Sequence, residues 1–242
     1  YQEVTGVQTC ALPIYLKLEK GETLGIVGKT GSGKTTLIKQ LLREYPHGEG
    51  TLSINEVPIE EQNLQDVRGW IGYVPQDHVL FSRTVRENIL FGQPDATESD
   101  LEKAIELADF KKDLEMLPDG LKTLVGEKGV ALSGGQKQRI SIARALIKNP
   151  EILILDDSLS AVDAKTEAKI IENIRRERSG KTTIITTHRL SAVEHADAII
   201  VMDNGVITEE GIHETLLQKD GWYKEQYDRQ QIEESSLEEV RV

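Results

Sequence analysis

The sequence contains the glycine-rich stretch Gly28-Lys29-Thr30-Gly31-Ser32-Gly33-Lys34-Thr35, which matches the pattern G-x-x-x-x-G-K-S/T without a gap. The apolar residues before it, Leu24 to Val27, predict a buried strand, and Thr35 to Leu42 predict a helix after it. In this arrangement backbone N–H groups and the helix N-terminus face a bound phosphate. The stretch therefore predicts a nucleotide-binding α/β core.

The pattern assigns a role to each residue of the predicted phosphate loop. Lys34 is expected to reach the β- and γ-phosphates, and the hydroxyl of Thr35 is expected to hold Mg²⁺. The predicted nucleotide-binding residues are Gly28, Lys29, Thr30, Gly31, Ser32, Gly33, Lys34, Thr35 and Thr36.

Two later stretches extend the prediction. Leu132-Ser133-Gly134-Gly135-Gln136 precedes a helical pattern from Gln136 to Lys148, and by itself it is more typical of an ordinary helix N-cap. The aliphatic run Ile152 to Leu155 ends in Asp156 and Asp157, and a carboxylate at the end of a central parallel strand suits a Mg²⁺ ligand. One nucleotide needs one phosphate loop. A chain with a second loop-like stretch is therefore expected to share its nucleotides with another chain, as a dimerising ATPase.

In combination, these motifs resemble the nucleotide-binding domain of an ATP-binding cassette (ABC) transporter over about residues 16–228, with Leu132 to Gln136 as the signature sequence. The resemblance implies an α/β fold: a P-loop NTPase core with a mostly parallel sheet, an antiparallel β part and an inserted helical subdomain. It also implies ATP and Mg²⁺ as cofactors. A second ABC ATPase domain is implied as the partner, with each ATP held between the phosphate loop of one chain and the signature of the other.

Further positions match the family by their order. Gln76 matches the glutamine of the loop that joins the ATPase core to the membrane domains. The loop at the dimer interface is matched by Ser160-Ala161-Val162-Asp163. His188 matches the histidine at the γ-phosphate. The segments Phe81 to Ile89 and Thr123 to Gly129 resemble exporters rather than importers. The resemblance thus implies catalytic roles for Asp157, His188 and Gln76, and metal-binding roles for Thr35, Gln76 and Asp156.

Asp157 departs from the family pattern, because most members have a catalytic glutamate at this position. The shorter side chain withdraws the carboxylate by one methylene, and a misplacement of about 1 Å can cost about 100-fold in rate. The resemblance favours a subunit of a heterodimeric bacterial multidrug exporter, whose own site mainly binds ATP and whose signature completes the partner's site. The alternatives are a fully active homodimer and a non-hydrolytic, ATP-gated interaction module.

The first residues, Tyr1 to Ile14, are excluded from the fold prediction. Val4 to Ile14 resemble the translation of a sequencing adapter, and this stretch contains Cys10, the single cysteine of the chain. Neither Tyr1 nor Tyr15 is in register for the family's adenine-stacking aromatic residue. Exporters of this kind carry a transmembrane domain ahead of the ATPase, so we expect that part to be missing here.

Composition separates the remaining classes of protein. The net charge of −12, from 41 acidic and 29 basic residues, argues against a nucleic-acid surface and against DNA-repair or translation members of the family. No stretch of the sequence approaches the roughly 18 apolar residues of a membrane span. We therefore expect a soluble domain at the cytoplasmic face of the cell membrane. The exporter-like segments argue against an importer ATPase. The signature argues against a small-molecule kinase, which does not need one.

The sequence also predicts the layout of the ATPase domain, residues 15–228. Early strands are expected at Leu16 to Glu19, Thr23 to Val27 and Thr51 to Ile54, and a helical lobe at about 78–148 with a helix start at Pro94 to Thr97. Asn204-Gly205 predicts a hairpin turn. The acidic residues 229–242 are expected to form a frayed tail.

Overall fold

The computed structural model describes residues 14–46 and 48–239. Its strands are β1 Thr23–Val27, β2 Ser53–Ile54, β3 Val57–Pro58, β4 Ile71–Val74, β5 Ile152–Asp156, β6 Thr182–Thr187, β7 Ala198–Asp203 and β8 Val206–Gly211. Its α-helices are α1 Lys34–Leu41, α2 Leu64–Trp70, α3 Val85–Leu90, α4 Glu98–Leu107, α5 Lys111–Met116, α6 Gly134–Leu146, α7 Ala164–Glu177, α8 His213–Leu217 and α9 Trp222–Glu239.

The central sheet has the strand order β4-β5-β6-β1-β7-β8. All neighbouring pairs are parallel except β7 and β8, which form an antiparallel hairpin at the edge. Asn204 and Gly205 turn this hairpin with φ angles of 48° and 80°, so the predicted turn is confirmed. The predicted fold class, with its mostly parallel sheet, antiparallel part and inserted helices, is likewise confirmed.

Both faces of the sheet are buried, as expected for parallel strands connected by helices. Alternate residues of each strand face opposite sides: Ile154 packs with α1 and α2, whereas Leu153 and Leu155 pack with the helices on the other face. Ile14 is half-buried against the apolar cluster that contains Ile154. The rest of the segment excluded by the sequence, Tyr1 to Pro13 with Cys10, lies outside the described residues.

Four helices, α3 to α6, lie between β4 and β5 in the chain, within the range 78–148 for which the sequence predicts a helical lobe. The predicted helix start is confirmed, because Thr97 caps α4 in a capping box with Asp100. Helix α5 ends at Met116, two residues before Pro118. In the part of the chain that the structure covers, no helix combines the length and the apolarity needed to cross a membrane.

Three predicted elements differ from the structure. The predicted strand at Leu16 to Glu19 is wrong: Leu16 and Leu18 pack against the core, but the segment lacks the backbone pairing that defines a strand. The strand predicted at Thr51 to Ile54 shortens to its last two residues. At the other end of the chain, where a frayed tail was predicted, α9 continues to Glu239.

A matched pair of glycine substitutions tests the packing of β4. A Cβ at Gly72 would lie 2.6 Å from Cγ of Pro150, whereas a Cβ at Gly69 in α2 would meet no heavy atom within 4 Å. We expect Gly72→Ala to lower the free energy of unfolding by about 1–3 kcal/mol. Gly69→Ala should raise it by about 0.5–1 kcal/mol. Urea denaturation measures both, and equal effects of the two substitutions would contradict the described packing.

Candidate functional site

The predicted phosphate loop connects β1 to α1 and needs its glycines. Gly28, Gly31 and Gly33 have φ angles of 144°, 82° and 106°. A Cβ at Gly28 would lie 2.2 Å from the carbonyl oxygen of Met202. The N-cap of α1 is Gly33, which offers no side chain to the first N–H groups of the helix. Those N–H groups are therefore available to an anion.

Lys34 lies across this loop. Its ammonium group donates to the carbonyl oxygens of Gly28 and Lys29, at 2.8 and 3.0 Å. Burial lowers the pKa of Lys34, and the negative charges of Asp157 and Asp156 oppose that shift. The loop thus combines unpaired N–H groups with a cation, which fits the phosphates of a nucleotide.

Asp156 ends β5 beside the loop and is 1% exposed. Three hydroxyl groups donate to its carboxylate: Thr186 at 2.6 Å, Thr35 at 3.1 Å and Tyr73 at 3.1 Å. Thr35 and Asp156, which the sequence predicted as metal ligands, thus lie together and present the oxygen ligands that Mg²⁺ prefers. The residues present therefore fit the ion.

Asp157, which follows β5, has a φ angle of 46° and lies beside His188 and Gln76. Nδ1 of His188 is 2.9 Å from Oδ1 of its carboxylate, and Nε2 of Gln76 donates to Oδ2 at 3.4 Å. The structure therefore brings the three predicted catalytic residues together. It joins Gln76 to Asp157, whereas Thr35 contacts Asp156.

The hydrogen bond to Asp157 raises the pKa of His188 above the ordinary value for histidine, against the opposing effect of burial. The negative charge of Asp157 adds to the increase. A histidine that is more readily protonated carries the positive charge that suits a nearby phosphate.

The predicted signature begins α6. Ser133 caps this helix in a capping box with Gln136, and both Ser133 and Gly134 are exposed. The side chain of Gln136 donates to Asp113, so the polar contacts of the signature are made within the helical lobe. Within the described ranges, no hydrogen bond joins the signature to the phosphate loop of the same chain.

The predicted dimer loop, Ser160 to Asp163, connects several parts of the site. The hydroxyl of Ser160 donates to the carbonyl oxygen of Asp157 at 3.0 Å. The N–H of Ala161 donates to Gln138 of α6 at 3.1 Å. Asp163 caps α7. The loop thus contacts both the nucleotide site and the helix that carries the signature.

Several residues of this network were not predicted from the sequence. Thr186 and Tyr73 hold Asp156, and Gln138 and Arg189 hold the dimer loop. Thr186 could have been found, because the β-branched run Thr182 to Thr187 is typical of a strand, and this strand pairs with β5 so that Thr186 lies opposite Asp156. Gln138 is fully buried in a predicted amphipathic helix, and its position two residues after Gln136 gave no signal.

The fold and this site define a P-loop nucleotide-binding domain with a second, outward-facing loop of signature type. The family model described as "ABC transporter" matches residues 12–160 of the chain. The chain therefore belongs to the ABC transporter family, and the family assigned from the sequence is confirmed. As an ABC ATP-binding domain, it binds ATP.

Similar proteins support the same family. The chain is 70% identical over 219 residues to a probable multidrug resistance ABC transporter ATP-binding/permease protein of Bacillus subtilis, covering 90% of this chain and 37% of the relative. It is 49% identical to the multidrug resistance-like ATP-binding protein MdlA of Escherichia coli, covering 89% of this chain and 37% of MdlA. The chain thus spans well under half the length of these relatives.

A solved structure of an ABC exporter has the same fold. The fold matches that of a bacterial Atm1-family ABC exporter with ATP bound, with a TM-score of 0.84 and 41% sequence identity. The match covers 87% of this chain and 37% of the exporter chain.

Replacing the carboxylate next to His188 tests the geometry of the site. In Asp157→Asn, His188 loses the negative charge that stabilises its protonated form, so its pKa should fall. NMR titration of the imidazole resonances measures this, with His188 assigned by the loss of its signal in His188→Ala. Asp163→Asn, which alters a carboxylate bonded to Thr166 instead, should leave the pKa unchanged. An unchanged His188 titration in Asp157→Asn would refute the described contact.

Proposed function

We propose that this chain is the ATP-driven motor domain of an ABC exporter and lies at the cytoplasmic face of the membrane. One observation carries the proposal: a phosphate loop complete with Lys34 and Asp156 lies in the same chain as an exposed signature that, among the described residues, makes no hydrogen bond to that loop. The relatives support the same function, since one is named a probable multidrug resistance ABC transporter ATP-binding/permease protein and another a multidrug resistance-like ATP-binding protein.

ATP would hold two such domains together, head to tail. Its γ-phosphate would accept hydrogen bonds from Lys34 and His188 of one chain and from Ser133 and Gly134 of the other. ADP lacks that phosphate and leaves these donors unpaired, so hydrolysis and phosphate release would favour separation. The dimer loop, bonded to both Asp157 and α6, suits a link between the two sites.

Mg²⁺, held by Thr35 and Asp156 with Gln76 nearby, would neutralise charge on the β- and γ-phosphates. The buried Asp156 carboxylate is already fixed by Thr186 and Tyr73, so its orientation is set before ATP binds. Gln76 is exposed and bonds to Asp157, which places it where it could also orient the attacking water.

We propose further that this chain's own site mainly binds ATP. Both carboxylate oxygens of Asp157 already accept hydrogen bonds, one from Gln76 and the other at the ring of His188. The side chain that would orient water is thus one methylene short and held by its neighbours. The signature would then serve a productive site on a heterodimeric partner with its own ABC ATPase domain.

A surface next to Gln76 suits contact with a membrane domain fused ahead of this domain. Its exposed apolar residues come from the two exporter-like segments and their surroundings: Val79, Phe81, Phe91, Leu124 and Val130. The rings of Phe81 and Phe91 are 4.6 Å apart between centroids. The segments themselves pair, since Thr84 and Leu124 form an antiparallel bridge. Movement at the Gln76 loop could therefore pass to membrane helices.

Asp157 also favours a second candidate function, an ATP-gated interaction module that dimerises without hydrolysis. This module would use the same phosphate loop and signature, and it would differ only in turnover. A fully active homodimer is the other alternative, in which the aspartate is sufficient for catalysis.

Two substitutions separate the roles of the two loops. Lys34→Ala removes the cation of the phosphate loop and should raise the Kd of the chain for ATP by about 10- to 100-fold. Ser133→Arg blocks the signature, which we assign to the partner's nucleotide, and should leave this Kd within about twofold of the parent value. Isothermal titration calorimetry measures both. Equal weakening by Ser133→Arg would contradict the division of labour.

A further inference from the structure

We infer that Gln230, on the C-terminal helix α9, is a positioning residue for His188. Its side-chain amide bonds to the backbone on both sides of Arg189. The oxygen accepts from the N–H of Leu190 at 2.9 Å, and the nitrogen donates to the carbonyl oxygen of His188 at 2.7 Å. Because one partner is a donor and the other an acceptor, only one orientation of the amide satisfies both bonds.

The same segment is held from its other side by the dimer loop. The guanidinium of Arg189 donates to the carbonyl oxygens of Ser160 and Val162, at 3.1 and 3.0 Å. It also pairs with the buried carboxylate of Glu167 at 3.0 Å. The backbone that carries His188 is therefore fixed between the dimer loop and α9, while the imidazole remains free to reach Asp157.

The helix that carries Gln230 is itself anchored. Tyr223 in its first turn is fully buried, and its hydroxyl lies 2.8 Å from Nδ1 of His213. Tyr227 packs against the core one turn later, and Gln230 follows three residues after it, on the same face of α9. Gln230 therefore projects from a rigid helix, as a positioning residue requires.

This arrangement accounts for the geometry at Asp157. His188 approaches Asp157 to 2.9 Å only if its backbone stays where Gln230 and Arg189 hold it. Loss of the hydrogen bonds from Gln230 or from Arg189 would allow the backbone at His188 to move, which would lengthen the contact between His188 and Asp157. The consequence for ATP rests on the proposed role of His188 at the γ-phosphate, but the positional effect itself requires no nucleotide.

NMR titration of the histidines in the complete chain tests the inference. The variants are Gln230→Ala, which removes both bonds, and Gln230→Met, which removes them while retaining the side-chain volume. The control is Gln231→Ala, because Gln231 is an exposed glutamine on the same helix. We expect the pKa of His188 to fall in both Gln230 variants, in the same direction as in Asp157→Asn, and to stay unchanged in Gln231→Ala.

His213 supplies an internal control, because it contacts α9 through Tyr223. Its resonance should keep its position in the Gln230 variants if Gln230 acts on the His188 loop alone. Two results would overturn the inference. The first is a His188 titration in both Gln230 variants that matches the titration in Gln231→Ala. The second is an equal shift of the His188 and His213 resonances in the Gln230 variants, which would indicate general loosening of α9. Neither result depends on ATP hydrolysis, so a failure here is distinguishable from a failure of the proposed function.

Discussion

The hydrogen bond from Thr186 to the buried carboxylate of Asp156, at 2.6 Å, is the contact on which the site depends. It exists because β5 and β6 are parallel and in a register that places Asp156 opposite Thr186. A buried carboxylate is costly unless it accepts hydrogen bonds, and here Thr35 and Tyr73 supply two more. The same register brings the residues that follow, Asp157 and His188, to one edge of the sheet.

From that edge, polar contacts extend in one direction, through Asp157 to the dimer loop and from there to α6. The signature at the start of α6 therefore connects to the nucleotide site through the loop, while its own N-terminus faces outward. In the dimer that we propose, such an arrangement would allow each site to sense the other. It would also allow a chain with a slow site of its own to contribute to a productive site on its partner.

The sequence predicted the elements that local chemistry determines. The phosphate loop follows from its glycines and Lys34, the start of α4 from Pro94 to Thr97, and the hairpin from Asn204-Gly205. It did not predict contacts that depend on tertiary packing. The alternation at Leu16 and Leu18 resembled a strand but lacks a partner strand. The acidic composition after Asp228 obscured the fact that Gln230 continues the inward helix face of Tyr223 and Tyr227. Burial on one helix face outweighed the charge on the others.

Steady-state ATP hydrolysis by the chain beside its Asp157→Glu variant decides whether Asp157 makes this nucleotide site mainly a binding site. A Lys34→Ala, Asp157→Glu double variant serves as the control for contaminating activity. We expect the parent to be nearly silent and Asp157→Glu to hydrolyse ATP, with a rate per chain that rises with protein concentration because two chains form each site. A parent as fast as Asp157→Glu would contradict the proposed binding role and would favour an ordinary homodimeric motor.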